Sequence, residues 1–532
     1  MIRTIDLHDV QGVVVKAYGR HGFPKARYVV FRVTDGGAGR RFVQALAQMI
    51  TTSAPWGPHG SATDGTAAPR ATVNVAFTYH GLRELGVPRA SLQSFPDEFA
   101  MGMRDRRDIL GDDGVSAPEH WDPVWQQDDQ VHILVWINGR DDAAVAERYA
   151  SIRALLDRLG NGVVQCSGHR GPSGRELPYQ DASAVYVDGE PTAREHFGYT
   201  DGISNPFFKG ALSHDDNVIG GGKPTGMAPE TRAGWEPLET GEFLLGHKDE
   251  ASEYPEAPIP SLLAMNGTFM VLRKLHENTA SFDAYLERAG RDVPGGKEEL
   301  AAKFAGRWRN GAPITTYPTE KEAVELGAQW QKAKLAIAKA ETRGEREAAK
   351  RIFAEYNARF VAFDYNKDLA GGRCPVGAHV RRTNPRGSLE FGKTGAFDTP
   401  GAIDNRRRIL RRGMPYGESQ RDRGDDGDHG VMFMAINASI RRQFEFVQQQ
   451  WITYGNDFNL ANDKDPLTGN HGRNAEGAPD GRMVIEADER DPRPPVFCGG
   501  MPRFVETRGG DYFFIPGLCA LRMIGAGTID PT

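Results

Sequence analysis

The pattern that most restricts this chain is a unit that occurs four times. A run of strand period is followed closely by a segment whose apolar residues return every three or four positions. Residues 28–33 (YVVFRV) precede a helical stretch over 42–50, and residues 131–138 (VHILVWIN) precede one carrying Val145, Tyr149, Ile152 and Leu156. The second half repeats the scheme: GTFMVL at 267–272 leads to Phe282, Leu286 and Ala289, and VMFMAI at 431–436 leads to Ile440, Phe444, Val447 and Trp451. Two such units per half predict two α+β domains, each an antiparallel sheet covered on one face by helices, and a chain of 532 residues is long enough for two cores. The Gly- and Pro-rich segment 205–236 reads as an extended connection over the surface, which divides the chain into domains 1–215 and 216–532. Segment 319–360 reads as an inserted αα-hairpin. TEKE is a capping box, Leu326, Trp330 and Ile337 form a helical stripe, Gly344 interrupts, and Ile352, Tyr356 and Phe360 resume it; its many charges are a solvated face.

Composition narrows the ligands. Hydrophobic residues are 39% and charged residues 26% of the chain, and the mean hydropathy is -0.51. No apolar run approaches the ~18 residues of a membrane helix. Lys plus Arg number 65 against 71 Asp plus Glu, a net charge of -6, which argues against nucleic acid and for small molecules. Cys166, Cys374, Cys498 and Cys519 lack CxxC spacing, so a zinc ribbon is excluded and a reducing compartment is implied. With neither a secretory nor a twin-arginine leader in view, the expected location is the cytoplasm.

Three segments could carry chemistry. GYTDG (198–202) is a Gly-bounded turn that would set the Asp201 carboxylate at a pocket edge among aromatic residues; GAPDG (477–481) matches the same pattern in a polar loop, and the motif alone is no more than a turn. RCPVGAHVRRTNPR (373–386) places His379 among Arg381, Arg382 and Arg386. A neutral imidazole can ligate haem iron and guanidiniums can bind its propionates; Cys374 is a rival thiolate ligand, the imidazole being favoured if the activity is that of a peroxidase. RILRRGMPYG (408–417) carries Arg411 and Arg412 before a turn that would aim one of them into a pocket.

Together, and in this order, these segments resemble the dye-decolourising peroxidase family of haem proteins. The resemblance extends from DLHDVQGVVVKAYGRHGFPKARYVVFRV through FPDEFAMGMRDRRDILGDDG, HFGYTDGISNP, CPVGAHVRRTNPR and RILRRGMPYG to ASIRRQFEFVQQQW and GGDYFFIPG near the C-terminus. It implies two ferredoxin-like domains of the dimeric α/β-barrel-like superfamily, with one haem b per chain held mainly by the second. Carried over residue by residue, it makes His379 the proximal iron ligand, Arg386 a propionate holder, Asp201 the distal acid–base and Arg411 the distal arginine. The acidic partner of the proximal imidazole matches no motif. Hydrogen peroxide and aromatic reductants are the implied partners, without nucleic acid or membrane, and analogy of fold extends to homo-oligomers.

The chemistry suits those residue types. One peroxide oxygen must lose a proton and the other must gain one, a transfer a carboxylate can make. Arg411, charged at any working pH, would stabilise the charge that develops as the O–O bond breaks. With a reference pKa of about 3.9, an aspartate base works below neutrality, which predicts a mildly acidic optimum. Met432 and Met434 alternate on one strand and share a face, either in the core or beside the iron as oxidisable sulfur. The run Asp425, Asp426, Asp428 lacks the ligand order of an EF-hand and reads as a solvated turn. Two other readings are a haem-binding or haem-delivery protein with incidental peroxidase activity, and a cofactor-free barrel-like assembly protein.

Overall fold

Each of the four strand–helix units forms, and they assemble into one sheet. The computed structural model describes residues 5–530 apart from 21, 57–67, 128, 172–173, 212–217, 391–401, 419–423 and 489–492. The first half contributes β1 (Lys25–Val33), α1 (Gly36–Ala47), β2 (Ala71–Phe77), β3 (Ile133–Gly139), α2 (Asp142–Leu159), β4 (Val163–Gln165) and β5 (Gln180–Ser183). The second contributes β6 (Thr268–Glu277), α3 (Thr279–Ala289), α4 (Gly296–Ala305), α5 (Glu320–Lys339), α6 (Arg343–Arg359), α7 (His379–Thr383), β7 (Leu410–Arg411), β8 (Met414–Tyr416), β9 (Gly430–Asn437), β10 (Val505–Ile515) and α8 (Leu518–Ala526).

The pairing order is β4-β1-β3-β2 in the first half and β10-β6-β9-β7 in the second. Numbering strands within each half, and counting β7 with β8 as one, both read 4-1-3-2, the ferredoxin-like order. The halves join where Phe514 of β10 pairs with Phe77 of β2, and β8 packs against β5, the extension of the first half's outer position. Strand four of each half therefore meets strand two of the other, which closes the sheet towards a barrel. Every residue of β2 and β3 is buried, because helices cover one face and the opposite wall covers the other.

Local chemistry sets the element ends. Asp35 and Asp141 cap α1 and α2 by accepting from the backbone N–H groups of Ala38 and Ala144. The inserted hairpin forms with a capping box at each start, Thr319 with Glu322 and Thr342 with Glu345. Thr342→Ala is expected to cost about 1 kcal/mol of local stability, seen as faster amide hydrogen exchange in the first turn of α6 than in α5. The stretch after β9 departs from the expected α-helix. It winds in π form over Arg441–Glu445 and Val447–Thr453, with Glu445 N–H donating to Ile440 O at 2.9 Å.

The connection 205–236 is not confined to the surface, since Phe208 and Trp235 are buried and the backbone of Gly220 and Gly222 meets arginines beneath it. The boundary placed after residue 215 lies outside the described residues.

Candidate active site

A cavity of about 300 Å³ opens where α7, the 195–206 segment, β6, β9 and the π-helical stretch converge, and Asp201, His379, Arg386 and Arg411 all line it. These four come from chain positions up to 210 residues apart. Val431 and Phe433 of β9, Leu275 of β6 and Phe444 and Val447 of the π-helical stretch give it apolar walls.

His379 begins the short helix α7, and its Nδ1 lies 2.9 Å from Oδ2 of Asp465. Asp465 is fully buried, and its Oδ1 accepts from Leu467 N–H (2.9 Å), Thr468 N–H (2.8 Å) and the Thr468 hydroxyl (3.1 Å). The carboxylate is thus fixed before it meets the ring, and it leaves Nε2 of His379 as the nitrogen on the cavity side. Burial works against charge on the ring, but the charge and hydrogen bond of Asp465 outweigh it and raise the His379 pKa. Burial likewise works against the Asp465 carboxylate, yet His379 and Arg382 hold it down at about 2.

In the same cavity lining, Arg411 Nη1 donates to Asp201 Oδ1 at 2.5 Å, and Nη2 donates to Ile203 O at 2.9 Å. Asn205 Oδ1 accepts from the Arg411 backbone N–H, so β7 and the GYTDG turn are pinned together. The Asp201 and Arg411 charges both register at the His379 ring, one raising and one lowering its affinity for a proton. The other half of the RR pair turns away: Arg412 donates to Val13 O and Val14 O.

Arg386 is buried, with φ +50, and donates to Val361 O, Phe363 O and Ser204 Oγ. Arg307 and Arg408 flank it in the same wall, bound to Ser204 and backbone carbonyls. No carboxylate pairs with these three among the described residues. Burial presses them to about 9 (Arg307), 10 (Arg386) and 9 (Arg408); the charges of Arg386 and Arg411 add to this for Arg307 and Arg408, while the more distant carboxylates of Asp404 and Asp364 offset part of it at Arg408 and Arg386. Three buried guanidiniums whose hydrogen bonds among the described residues go to neutral groups make one end of the cavity a site for an anion.

The structure separates the other candidates. Cys374 is buried outside the cavity, with its thiol pushed up to about 11 by burial, so the thiolate alternative is removed. Arg381 and Arg382 are consumed by backbone carbonyls of Cys374 and Leu369, and of Gly377, Trp451, Tyr454 and Asp463. Met432 and Met434 share a face, but it is the core face, while their neighbours Val431 and Phe433 line the cavity. Asp425 caps α3 through Ala280 N–H, Asp428 pairs with buried Lys274 at 3.0 Å, and Asp480 of GAPDG only ties its own loop to Gly472 N–H. Asp465 is the residue sequence reasoning did not assign. Its Asp-Pro-Leu-Thr turn is legible, but nothing in it points to a histidine 86 positions away.

The donor set fits haem on these grounds: an imidazole oriented by a carboxylate, apolar walls for a flat macrocycle, and a buried cationic end for its carboxylates. Comparison with known proteins agrees. Residues 9–172 match the DyP dimeric alpha+beta barrel domain and residues 366–469 match the C-terminal part of Dyp-type peroxidases. The chain is 25% identical to dye-decolorizing peroxidase msp1 of Mycetinis scorodonius over 98% of this chain and 88% of that protein. It is 26% identical to the multifunctional dye peroxidase DyP2 of Amycolatopsis sp. over 85% and 82% of the respective chains. An ancestral D-type dye decolorizing peroxidase superposes with a TM-score of 0.70 at 26% identity, covering 98% of this chain and 99% of its own.

Proposed function

The chain belongs to the dye-decolourising peroxidase family, and from that premise we propose how its own residues divide the work. The enzyme is a haem peroxidase that reduces hydrogen peroxide while oxidising dyes, phenolic and other aromatic donors in one-electron steps. Our reading gives it one haem b per chain, two domains meeting near residue 215, homo-oligomeric association and a cytoplasmic location.

Bound haem supplies a redox-active iron at which the O–O bond of peroxide is broken. His379 would hold that iron through Nε2, with Asp465 setting the tautomer and the ring plane. Arg386, with Arg307 and Arg408, would balance the propionates by charge, since their hydrogen bonds already anchor them to the wall. Asp201 would take the proton from one peroxide oxygen and return it to the departing one. Arg411, 2.5 Å from Asp201, would stabilise the departing oxygen's negative charge while holding the carboxylate in line.

The observation that carries this reading is the convergence of Asp201, His379, Arg386 and Arg411 on one cavity. A haem-delivery protein would need His379 and the cationic end, but not an aspartate–arginine pair lining the same cavity. Titration of the protein with haem should end at one equivalent per chain, and the product should oxidise a dye in a peroxide-dependent manner. Saturation at another ratio, or haem bound without peroxide-dependent oxidation, would refute it. The activity optimum is expected below neutrality, and an optimum above it that stays in place in Asp201→Asn would remove Asp201 from this role.

A further inference from the structure

Two carboxyl groups in the cavity wall, Glu277 buried and Glu195 half-buried, are left unused by this scheme. Glu195, in the turn that leads to Asp201, and Glu277, at the end of β6, both line the cavity and hydrogen-bond each other. Each is also tied to backbone. Glu195 accepts from the Phe197 and Tyr199 N–H groups at 2.7 and 2.6 Å, and Glu277 accepts from His196 N–H at 3.1 Å. Two carboxyl groups in such contact, with the Asp201 charge also bearing on both, cannot all be ionised, so the pair keeps a proton.

Three buried imidazoles stand behind the pair. The His196 ring is 5.5 Å from that of His429, which is 5.0 Å from that of His276. His276 Nε2 lies 2.8 Å from Asp425 O, in the loop 424–428 where Asp426 and Gly427 are exposed. The His429 Nδ1 atom is buried without a hydrogen-bond partner among the described residues. We propose that Glu277 and Glu195, with His196, His429 and His276 behind them, form a proton-uptake path from loop 424–428 to the cavity.

The reaction needs such a path, and the inference rests on the peroxidase reading above. Asp201 and Arg411 can only pass a proton from one peroxide oxygen to the other. Converting hydrogen peroxide to two waters consumes two electrons and two protons, and a donor that gives up only electrons brings no proton with it. Burial raises Glu195 to about 7 and Glu277 well above the usual carboxyl range. Burial lowers His429 to about 4 and also lowers His276, so these imidazoles are neutral near pH 7. His276 holds both nitrogens, and His196 its Nε2, against backbone carbonyls, so these rings must turn before they accept a proton there, whereas Nδ1 of His429 can accept one as it stands. The other charged or titratable groups bearing on the path are Asp201, Tyr416, Asp425, Glu506 and Arg508.

Glu277→Gln tests the path, because the amide can still accept from His196 N–H and donate to Glu195 but cannot carry a proton. The infrared difference at pH 7 between the haem-free wild type and Glu277→Gln should show a protonated-carboxyl band, which separates the pair from Glu486, also raised to about 7 but common to both proteins. With haem bound, ferrocyanide supplies electrons alone: one peroxide, two ferrocyanide ions and two protons give two waters and two ferricyanide ions. Its oxidation is expected to slow roughly 10- to 100-fold in Glu277→Gln and in His429→Phe, with a smaller loss for a phenol that releases its own proton. Absence of the band from the difference spectrum, or equal losses with the two donors, would overturn the path in an enzyme that remains a peroxidase. A band without any peroxide-dependent oxidation by the wild type would overturn the peroxidase reading and the path with it.

Discussion

Asp201→Asn is expected to lower kcat/KM for hydrogen peroxide by about 10²–10⁴-fold while the protein still binds one equivalent of haem. The amide keeps the shape of the carboxylate and leaves Arg411 a carbonyl oxygen to bind, but it cannot take a proton from peroxide. Arg411→Leu removes a charge rather than a base, and a loss of about 10²–10³ is expected. It also frees Asp201 from a contact of 2.5 Å, so its loss includes some misalignment of the base. Stopped-flow absorbance of the haem-loaded variants mixed with peroxide separates the two effects. Peroxide reaction in Asp201→Asn should recover as pH rises and deprotonated peroxide becomes available, whereas in Arg411→Leu it should stay slow. Wild-type rates in Asp201→Asn would transfer the proton to another group.

How much of this was legible in the sequence depends on whether a residue's role is local. The four strand–helix units follow from periodicity because β-branched and alternating runs must be buried wherever they lie. Strand β2 gave no such signal, since its Thr72 and Asn74 interrupt the apolar run and yet are buried. Asn74 Oδ1 accepts from Val13 N–H, and Gln11 in turn bonds both N–H and O of Val75, so polar side chains replace backbone partners inside the core. Strand β10 runs through Gly509 and Gly510, residues that carry no strand signal in the sequence. Both hold positive φ where a side chain would collide, with Trp125 at Gly509 and the Leu272 carbonyl at Gly510.

The site divides in the same way. His379, Asp201 and Arg411 sit in segments that resemble motifs of the family, and it was that resemblance that pointed to them, since turn and charge chemistry alone left each an ordinary turn or surface residue. Arg386 was visible as a charge, but its alliance with Arg307 and Arg408 was not, because the three meet only through folds of chain that place Ser204 between them. Glu195 flanks the GYTDG turn and Glu277 ends a strand, and only the closing of the sheet brings them together.

The second large effect is expected at Asp465. Its Oδ1 is committed to the Leu467 and Thr468 N–H groups, so an asparagine there would keep its carbonyl on those donors and turn its NH₂ towards His379 Nδ1. Two donors cannot face each other. The imidazole would move its proton to Nε2, the nitrogen that has to bind iron, and the loss of the negative charge would weaken the ring as a ligand besides. Haem affinity is expected to fall about 10- to 100-fold in Asp465→Asn, and axial ligation to disappear in His379→Ala, both read from the Soret band during haem titration. The haem-free protein offers an independent check on the sign. A carboxylate held at about 2 in the folded chain, against an ordinary value near 3.9, adds stability that is fully present above that ordinary value. It is lost as pH falls through about 2. Between roughly pH 4 and 2 the wild type should therefore lose stability more steeply than Asp465→Asn, in chemical unfolding followed at each pH. Equal acid slopes together with wild-type haem affinity would show that Asp465 neither carries that charge nor orients the ligand.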